Sequence, residues 1–293
     1  MSTGDSIEDA HSPNRKEIVI LGDIKHSTDL RDTIFNGIAE KKFSASIIAD
    51  EDGTIAETDA VAREAERLGV LLETIVEEGA RVREGDALVK FRGTPKQIAM
   101  AEEVFMGIMA KASGIATATQ TFIKQAGKKP HIVCGAWKKM PPQIKDMVRR
   151  AIVAGGGSFR ICSGPFVYLD KNYVEMLSGI QACLAAASAL NGSTKVVQLK
   201  GKYQDVAREA CEAASHGAGI IFIDTGIMDD IGHVSQALKE LGLREGVRIA
   251  FAGNIKLEDI PELKSMDVDI LDIGKAIVDA PLLDMRMEII RKE

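Results

Sequence analysis

From His131 onward the chain alternates short apolar runs with helical segments, and no other feature restricts the fold as tightly. Apolar runs at Phe166 to Leu169, Val196 to Leu199, Ile220 to Ile223, Ile249 to Phe251 and Ile270 to Ile273 are separated by helical stretches such as Tyr203 to Ser215 or Asp230 to Leu241. Strands that are apolar on both faces must be covered on both, so repeated units of this kind make a parallel sheet wrapped by helices. The count suits a (β/α) barrel, complete or incomplete, whose active face lies at the strand C-termini. There the sequence sets Asp170, Lys171, Lys200, Asp224, Gly253-Asn254 and Gly274-Lys275.

The stretch from Cys134 to Arg160 carries the densest positive charge at that face. An apolar strand, His131 to Cys134, delivers Lys138 and Lys139 at its end. After Pro141-Pro142, a helical pattern places Ile144, Met147, Val148 and Ile152 on one side and stops at Gly155-Gly156-Gly157. A second strand is expected to begin at Phe159 and Arg160. Parallel pairing of the two strands would bring Lys138, Lys139 and Arg160 together as an anion pocket.

The first third reads differently. Phe43 to Glu57 alternates apolar and polar residues, Asp59 to Leu68 is helical, and turns at Gly79 and Gly85 separate short strands ending near Gly93. The expected organisation is a disordered tail over 1–16, an α/β sandwich domain over 17–127 and a barrel domain over 128–275. Within the first domain a long helix from Pro95 to about Gly127 is expected to be interrupted at Ser113-Gly114 and to link the two domains.

Composition narrows the function. The 293 residues carry a formal net charge of -6, which disfavours a nucleic-acid surface, because phosphate-backbone binding needs a basic face. No apolar run is long enough to span a bilayer. Cys134, Cys162, Cys183 and Cys211 form no CxxC pair, as expected of free thiols in a reducing cytoplasm. In barrels of this kind the last two βα loops hold phosphate through backbone N–H groups, and glycine lets the main chain approach the oxygens. Gly253, Asn254, Gly274 and Lys275 occupy those loops.

These residues together carry a resemblance. SGIAT at Ser113 to Thr117, the lysine pair before Pro141-Pro142, the GGG stop, Asp224, the AGNI around Gly253 and the closing DILDIGKAIVDAPLLDMRMEI resemble the nicotinate-nucleotide pyrophosphorylase family, also called quinolinate phosphoribosyltransferase. Gly22-Asp23-Ile24 resembles a further motif of that family. The resemblance implies an α/β protein with an N-terminal α/β sandwich and an incomplete (β/α) barrel. It also implies a C-terminal helix over 276–293 returning to the first domain, and a homodimer or higher multiple whose sites borrow residues from the partner. The family transfers phosphoribose from phosphoribosyl pyrophosphate to quinolinate with Mg²⁺, releasing pyrophosphate and CO₂.

Position by position, the resemblance implies catalytic roles for Lys139 and Asp224, with Asp224 also serving the metal. Lys138, Lys139, Arg160, Lys171, Lys200 and Glu103 fall on or beside substrate-binding positions, and Lys145 on a further arginine of the family. The chain departs from the pattern where Phe159 replaces a histidine, Asp170 a lysine, Glu103 an arginine and Trp137 a small hydroxyl residue. Exchanging cations for anions inverts part of the field that two carboxylates require, so a base other than quinolinate is one alternative. A catalytically silent phosphoribose-binding protein is another, and a barrel forming a Schiff base through Lys200 or Lys275 is a third.

Overall fold

The computed structural model describes residues 29–290. The expected 1–16 tail and the Gly22-Asp23-Ile24 motif lie outside the described residues. Helix α1 (Leu30–Ile34) leads into a first domain made of β1 (Phe43–Ala49), β2 (Gly53–Thr54), α2 (Thr58–Leu68), β3 (Leu71–Ile75), β4 (Arg81–Val82) and β5 (Ala87–Gly93). Then α3 (Pro95–Ala126) runs into the second domain. That domain alternates β6 (His131–Val133), α4 (Lys145–Ala154), β7 (Phe166–Leu169), α5 (Lys171–Met176), α6 (Ile180–Ala186), β8 (Thr194–Leu199), α7 (Val206–Ser215), β9 (Ile220–Ile223), α8 (Asp229–Glu240), β10 (Arg248–Ala252), α9 (Ile260–Leu263), β11 (Ile270–Asp272) and α10 (Lys275–Val278). The described residues end in β12 (Met285–Ile290).

Helix α3 is the spine. Thr94 caps its first turn, accepting from the Gln97 N–H while Gln97 reaches back to the Thr94 N–H, and Pro95 fits the first turn because no N–H is needed there. Its first half buries Ile98, Phe105 and Met109 against the sheet residues Ile47 and Phe91. Its second half buries Ile115, Phe122 and Ala126 in the barrel core. The expected interruption at Ser113-Gly114 does not occur, and the helix is continuous. Gly114 is needed for proximity instead, since a Cβ there would lie 1.9 Å from the Pro281 carbonyl oxygen. Ser113 Oγ accepts from the Ala56 N–H and Thr117 Oγ1 from the Thr54 N–H, so the SGIAT string is a fastener between helix and sheet. The glycine run does the same from α4, because a Cβ on Gly155 would lie 2.4 Å from the Ala116 carbonyl oxygen.

The first sheet is four-stranded, in the order β12-β1-β5-β3. The expected C-terminal helix is a strand, with β12 antiparallel to β1 and Met285 opposite Ala49. The chain does return to the first domain, as an edge strand. The alternation Met285-Arg286-Met287-Glu288 carries the reason: a period of two turns Met285 into the core and Arg286 to solvent.

The second sheet has six strands in the order β6-β11-β10-β9-β8-β7, every pair parallel. Runs that look uniformly apolar in sequence divide by parity. Leu169, Val197, Ile221, Phe251 and Leu271 face the helices. Val133, Tyr168, Val196, Phe222, Ala250 and Ile270 meet one another across the inside. The two edge strands, β6 and β7, do not pair, yet Val133 and Tyr168 belong to the same inner cluster, so the sheet curls into an incomplete barrel. The strand expected at Phe159 is reduced to a single bridge between Ser158 and Val133. Ser158 explains it: its hydroxyl accepts from the Arg160 N–H at 3.0 Å and donates to the Arg160 carbonyl at 2.7 Å, curling the chain away from the ladder.

Candidate active site

At the strand C-termini the inward parity continues past the apolar layer. Tyr168 on β7, Gln198 on β8, Asp224 after β9 and Asp272 on β11 line one cavity of about 330 Å³ with Lys138 and Lys139, which the turn Gly135–Lys139 carries in from β6. Each is set by register. Phe222 and Ile270 point inward, so two residues on Asp224 and Asp272 must do so as well.

The two carboxylates are held differently. Asp272 Oδ1 accepts from the Gly135 N–H at 2.7 Å, and desolvation raises its pKa above the ordinary aspartate value, with the Gly135 bond and the Lys138 and Lys139 charges opposing the rise. Asp224 accepts from Gln198 Nε2 at 2.5 Å and pairs with Lys200 Nζ at 2.7 Å. The same ammonium donates to the Asp224 carbonyl at 2.5 Å. Burial beside Asp224, Asp272 and Asp170 raises the Tyr168 hydroxyl well above its usual range, so it stays a neutral donor.

The loops after β10 and β11 close the rim. Gly253, Asn254, Gly274 and Lys275 all line the cavity. At Gly253 glycine is required sterically: φ is 133°, and a Cβ would lie 2.2 Å from Gly226 Cα. A second cavity of about 440 Å³ adjoins, between Lys200, Asp224, Thr225 and Gly253. The larger cleft, about 650 Å³, lies between the two domains, where Arg150 grips the buried Glu57 with bonds of 2.6 and 3.1 Å.

A family model described as the quinolinate phosphoribosyl transferase C-terminal domain matches residues 115–288, and one described as the N-terminal domain of the same enzyme matches 26–113. The chain belongs to the quinolinate phosphoribosyltransferase family. Among relatives, a probable nicotinate-nucleotide pyrophosphorylase [carboxylating] of Archaeoglobus fulgidus is 26% identical over 257 residues, covering 87% of this chain and 97% of that one. The nicotinate-nucleotide pyrophosphorylase [carboxylating] of Homo sapiens is 24% identical, over 74% of this chain and 72% of its own. The fold matches that of NadC from Streptococcus pyogenes with a TM-score of 0.76 at 22% identity, covering 91% and 93% of the two chains.

Within this family fold, the residues expected from sequence separate into two groups. Lys138, Lys139, Asp224, Gly253, Asn254, Gly274 and Lys275 are brought together at the mouth, and Lys200 joins them through Asp224. Arg160, expected beside the lysine pair, is not among them. It is exposed and donates to the Cys162 and Gly164 carbonyls of its own loop at 3.4 and 3.0 Å. Glu103 is also elsewhere, exposed on α3 and paired with Arg31 at 2.8 Å. Lys171 opens α5 with an exposed side chain, its N–H donating to Gln198 Oε1 at 3.0 Å. Asp170 caps that helix, accepting from the Asn172 and Tyr173 N–H groups, so its carboxylate is occupied by backbone. The sequence reading missed Asp272, Gln198 and Tyr168. Their signal was present, since each is a polar group at inward parity within an otherwise apolar run.

Proposed function

We propose that the chain is a phosphoribosyltransferase of the nicotinate-nucleotide pyrophosphorylase type. It transfers phosphoribose from phosphoribosyl pyrophosphate to a pyridine carboxylate, quinolinate being the base that the resemblance implies, with release of pyrophosphate. The observation that carries this reading is the convergence of Asp224 and Asp272 with Lys138 and Lys139 on one cavity, rimmed by glycine loops.

The chemistry asks for both signs of charge. As the bond from ribose C1 to the diphosphate oxygen breaks, positive charge grows on the sugar ring and negative charge on the leaving oxygens. Asp224 supports the first. Lys138 and Lys139 support the second, and Gly253, Asn254, Gly274 and Lys275 hold the 5-phosphate through backbone N–H groups and the lysine charge. Lys200 is already paired with Asp224 and serves as its counter-ion, which weighs against a Schiff-base role.

Mg²⁺ is the proposed cofactor. Asp224 and Asp272 give hard oxygen donors on one cavity, and Mg²⁺ characteristically combines one or two carboxylates with phosphate oxygens. Bound there, it would neutralise charge on the leaving diphosphate. Lys200 occupies one Asp224 oxygen and competes with it.

The active species is proposed to be a homodimer or higher multiple, because docking a neighbour's first domain over the mouth would exclude water from the reacting charges. Free thiols among the described residues accord with a cytoplasmic setting. A coupled assay of pyrophosphate release from phosphoribosyl pyrophosphate, with Mg²⁺ and a panel of pyridine carboxylates, tests the activity. Release that depends on the base is expected. Phosphoribosyl pyrophosphate binding without release for any base would favour the silent-binder alternative.

A further inference from the structure

The cavity that continues inward from the mouth is aromatic. It measures about 260 Å³, and Trp137, Phe159, Phe166, Tyr168 and Phe222 line it with Ile161. Among the described residues, Lys138 and Asp272 are its only charged lining residues, and both also face the mouth, so the two spaces are continuous. The walls are fixed by specific contacts. Trp137 Nε1 donates to the Phe159 carbonyl at 2.9 Å, and the two rings meet edge to face with centres 6.2 Å apart. Tyr168 meets Phe222 in the same way at 5.5 Å.

Two guanidinium groups stand nearby, and neither lines this space. Arg149 lies over the Trp137 ring at 4.0 Å and faces the interdomain cleft. Arg160 lies over the Phe166 ring at 5.1 Å and donates to its own loop carbonyls, without lining the cavity. The annex therefore offers one cation and one anion.

We infer that this aromatic annex is the acceptor subsite and that it takes a flat aromatic heterocycle bearing a single carboxylate, seated with its ring among the aromatic walls and its carboxylate on Lys138. The inference rests on the phosphoribosyl-transfer reading, which puts the sugar in the adjoining mouth. Size agrees, since an apolar cavity of roughly 150 Å³ accepts benzene and this one is larger by the room a substituent needs. Charge decides the class. A second carboxylate would be desolvated without a cation and would share the cavity with Asp272.

The reaction favours these walls too. The lone pair of the ring nitrogen forms the bond to C1 as the C1–O bond breaks, and the electron pair of that bond leaves with the diphosphate. No proton moves, and the ring becomes a pyridinium cation. Aromatic faces attract such a cation more than they attract the neutral ring, so the aromatic lining helps most after charge has begun to develop.

Calorimetric titration of the full chain with nicotinate, quinolinate and nicotinamide, each with and without saturating inorganic pyrophosphate, and separately with phosphoribosyl pyrophosphate, tests the inference. Nicotinate should bind about tenfold tighter than either of the others, the worth of one paired carboxylate in this setting. Lys138→Met should erase its advantage over nicotinamide. Phe159→Arg should bring quinolinate up by about tenfold, and Phe159→Leu, which keeps the wall apolar, should weaken nicotinate severalfold without that gain. Thermal unfolding of each variant confirms that it is folded. Quinolinate binding as tightly as nicotinate, or a nicotinate preference that survives Lys138→Met, would overturn the assignment. Binding of phosphoribosyl pyrophosphate with no binding of any ring overturns the annex alone, whereas ring binding without phosphoribosyl pyrophosphate binding overturns the transfer reading alone.

Discussion

At the N-terminal ends of the barrel strands, Arg244 sits between Asp267 and Asp269 at 2.7 and 2.9 Å, with its side chain only 12% exposed. Ser235 and Lys239 bond Asp267 as well, and Asp269 accepts the Ile249 N–H at 2.9 Å. At the C-terminal ends, Lys138, Lys139 and Lys275 line an open cavity and form no ion pair with another described residue. Both ends draw on the same residue types. Below, carboxylates and cations satisfy one another and tie turn, helix and strand together, whereas above, the cations are left over for something that arrives. A charge bonded to the fold contributes stability, and a charge held at a mouth contributes ligand affinity at some cost in stability.

Substitutions at the two ends should separate these roles. Asp224→Asn at the mouth should reduce transfer by about 10²–10³-fold, the usual cost of removing one electrostatic partner of a transition state. Its unfolding midpoint should shift little, since the pair it loses with Lys200 is partly solvated. Turnover within a few fold of the unaltered protein would take Asp224 out of the mechanism. Arg244→Met, at the opposite end, should leave the kinetics of the folded fraction alone and cost about 2–3 kcal/mol in urea unfolding. The cost falls at the low end for a buried network because Asp267 keeps some solvent contact. Depressed by Arg244, the Asp267 carboxyl is lost as a partner only as pH falls below its ordinary value and through its lowered one. The destabilisation should therefore be constant at neutral pH and shrink in acid. A variant as stable as the parent would remove the contrast between the two ends.

The barrel was legible because each strand announced itself as an apolar run, and β7 and β9 begin and end where the runs do. The mouth was half legible. Strand-end charges such as Asp224 and Lys139 follow from knowing where a strand stops. Asp272 and Gln198 lie inside the runs, and finding them requires the parity that divides helix-facing from inward residues. Arg160 was misplaced because a local hydroxyl, that of Ser158, outbid the expected ladder. Glu103 and Asp170 belong to the family pattern by alignment, yet in this chain one pairs with Arg31 and the other caps α5. Within a single chain, neither carboxylate lines the mouth. Phe159, the third departure, does line the aromatic annex.

Lys200 sharpens the comparison from within the mouth, because it is a cation already paired there. Its ammonium sits on the Asp224 carboxylate and carbonyl, where it offsets charge that a divalent cation would otherwise take up. Lys200→Met should lower the Mg²⁺ concentration needed for half-maximal pyrophosphate release by a few fold, since competition for one carboxylate oxygen at the surface amounts to about 1 kcal/mol. Magnesium-induced protection against thermal unfolding, measured with phosphoribosyl pyrophosphate present, should increase in parallel. An unchanged or raised Mg²⁺ requirement would mean that Lys200 acts on the substrate and not as a counter-ion.

Asp272 gives the smallest expected effect and the most direct view of what the mouth costs the fold. Burial raises its pKa, so between the ordinary aspartate value near 3.8 and the higher folded value the native state binds more protons than the unfolded chain. Stability from this group therefore falls as pH rises through that window and stays reduced above it, the reverse of what Asp267 does at the other end. Asp272→Asn removes the charge while leaving an oxygen to accept the Gly135 N–H. At neutral pH it should raise the unfolding midpoint slightly, by an amount corresponding to less than about 1 kcal/mol because Lys138 and Lys139 already offset part of the burial cost. The gain should vanish below the ordinary aspartate pKa, where the parent carboxyl is neutral in both states. Differential scanning calorimetry across that pH range reads it. A variant less stable than the parent at neutral pH and no better in acid would show that Asp272 is anchored into the fold, as the charges around Arg244 are, and that the two ends of the barrel differ less than their ion pairs suggest.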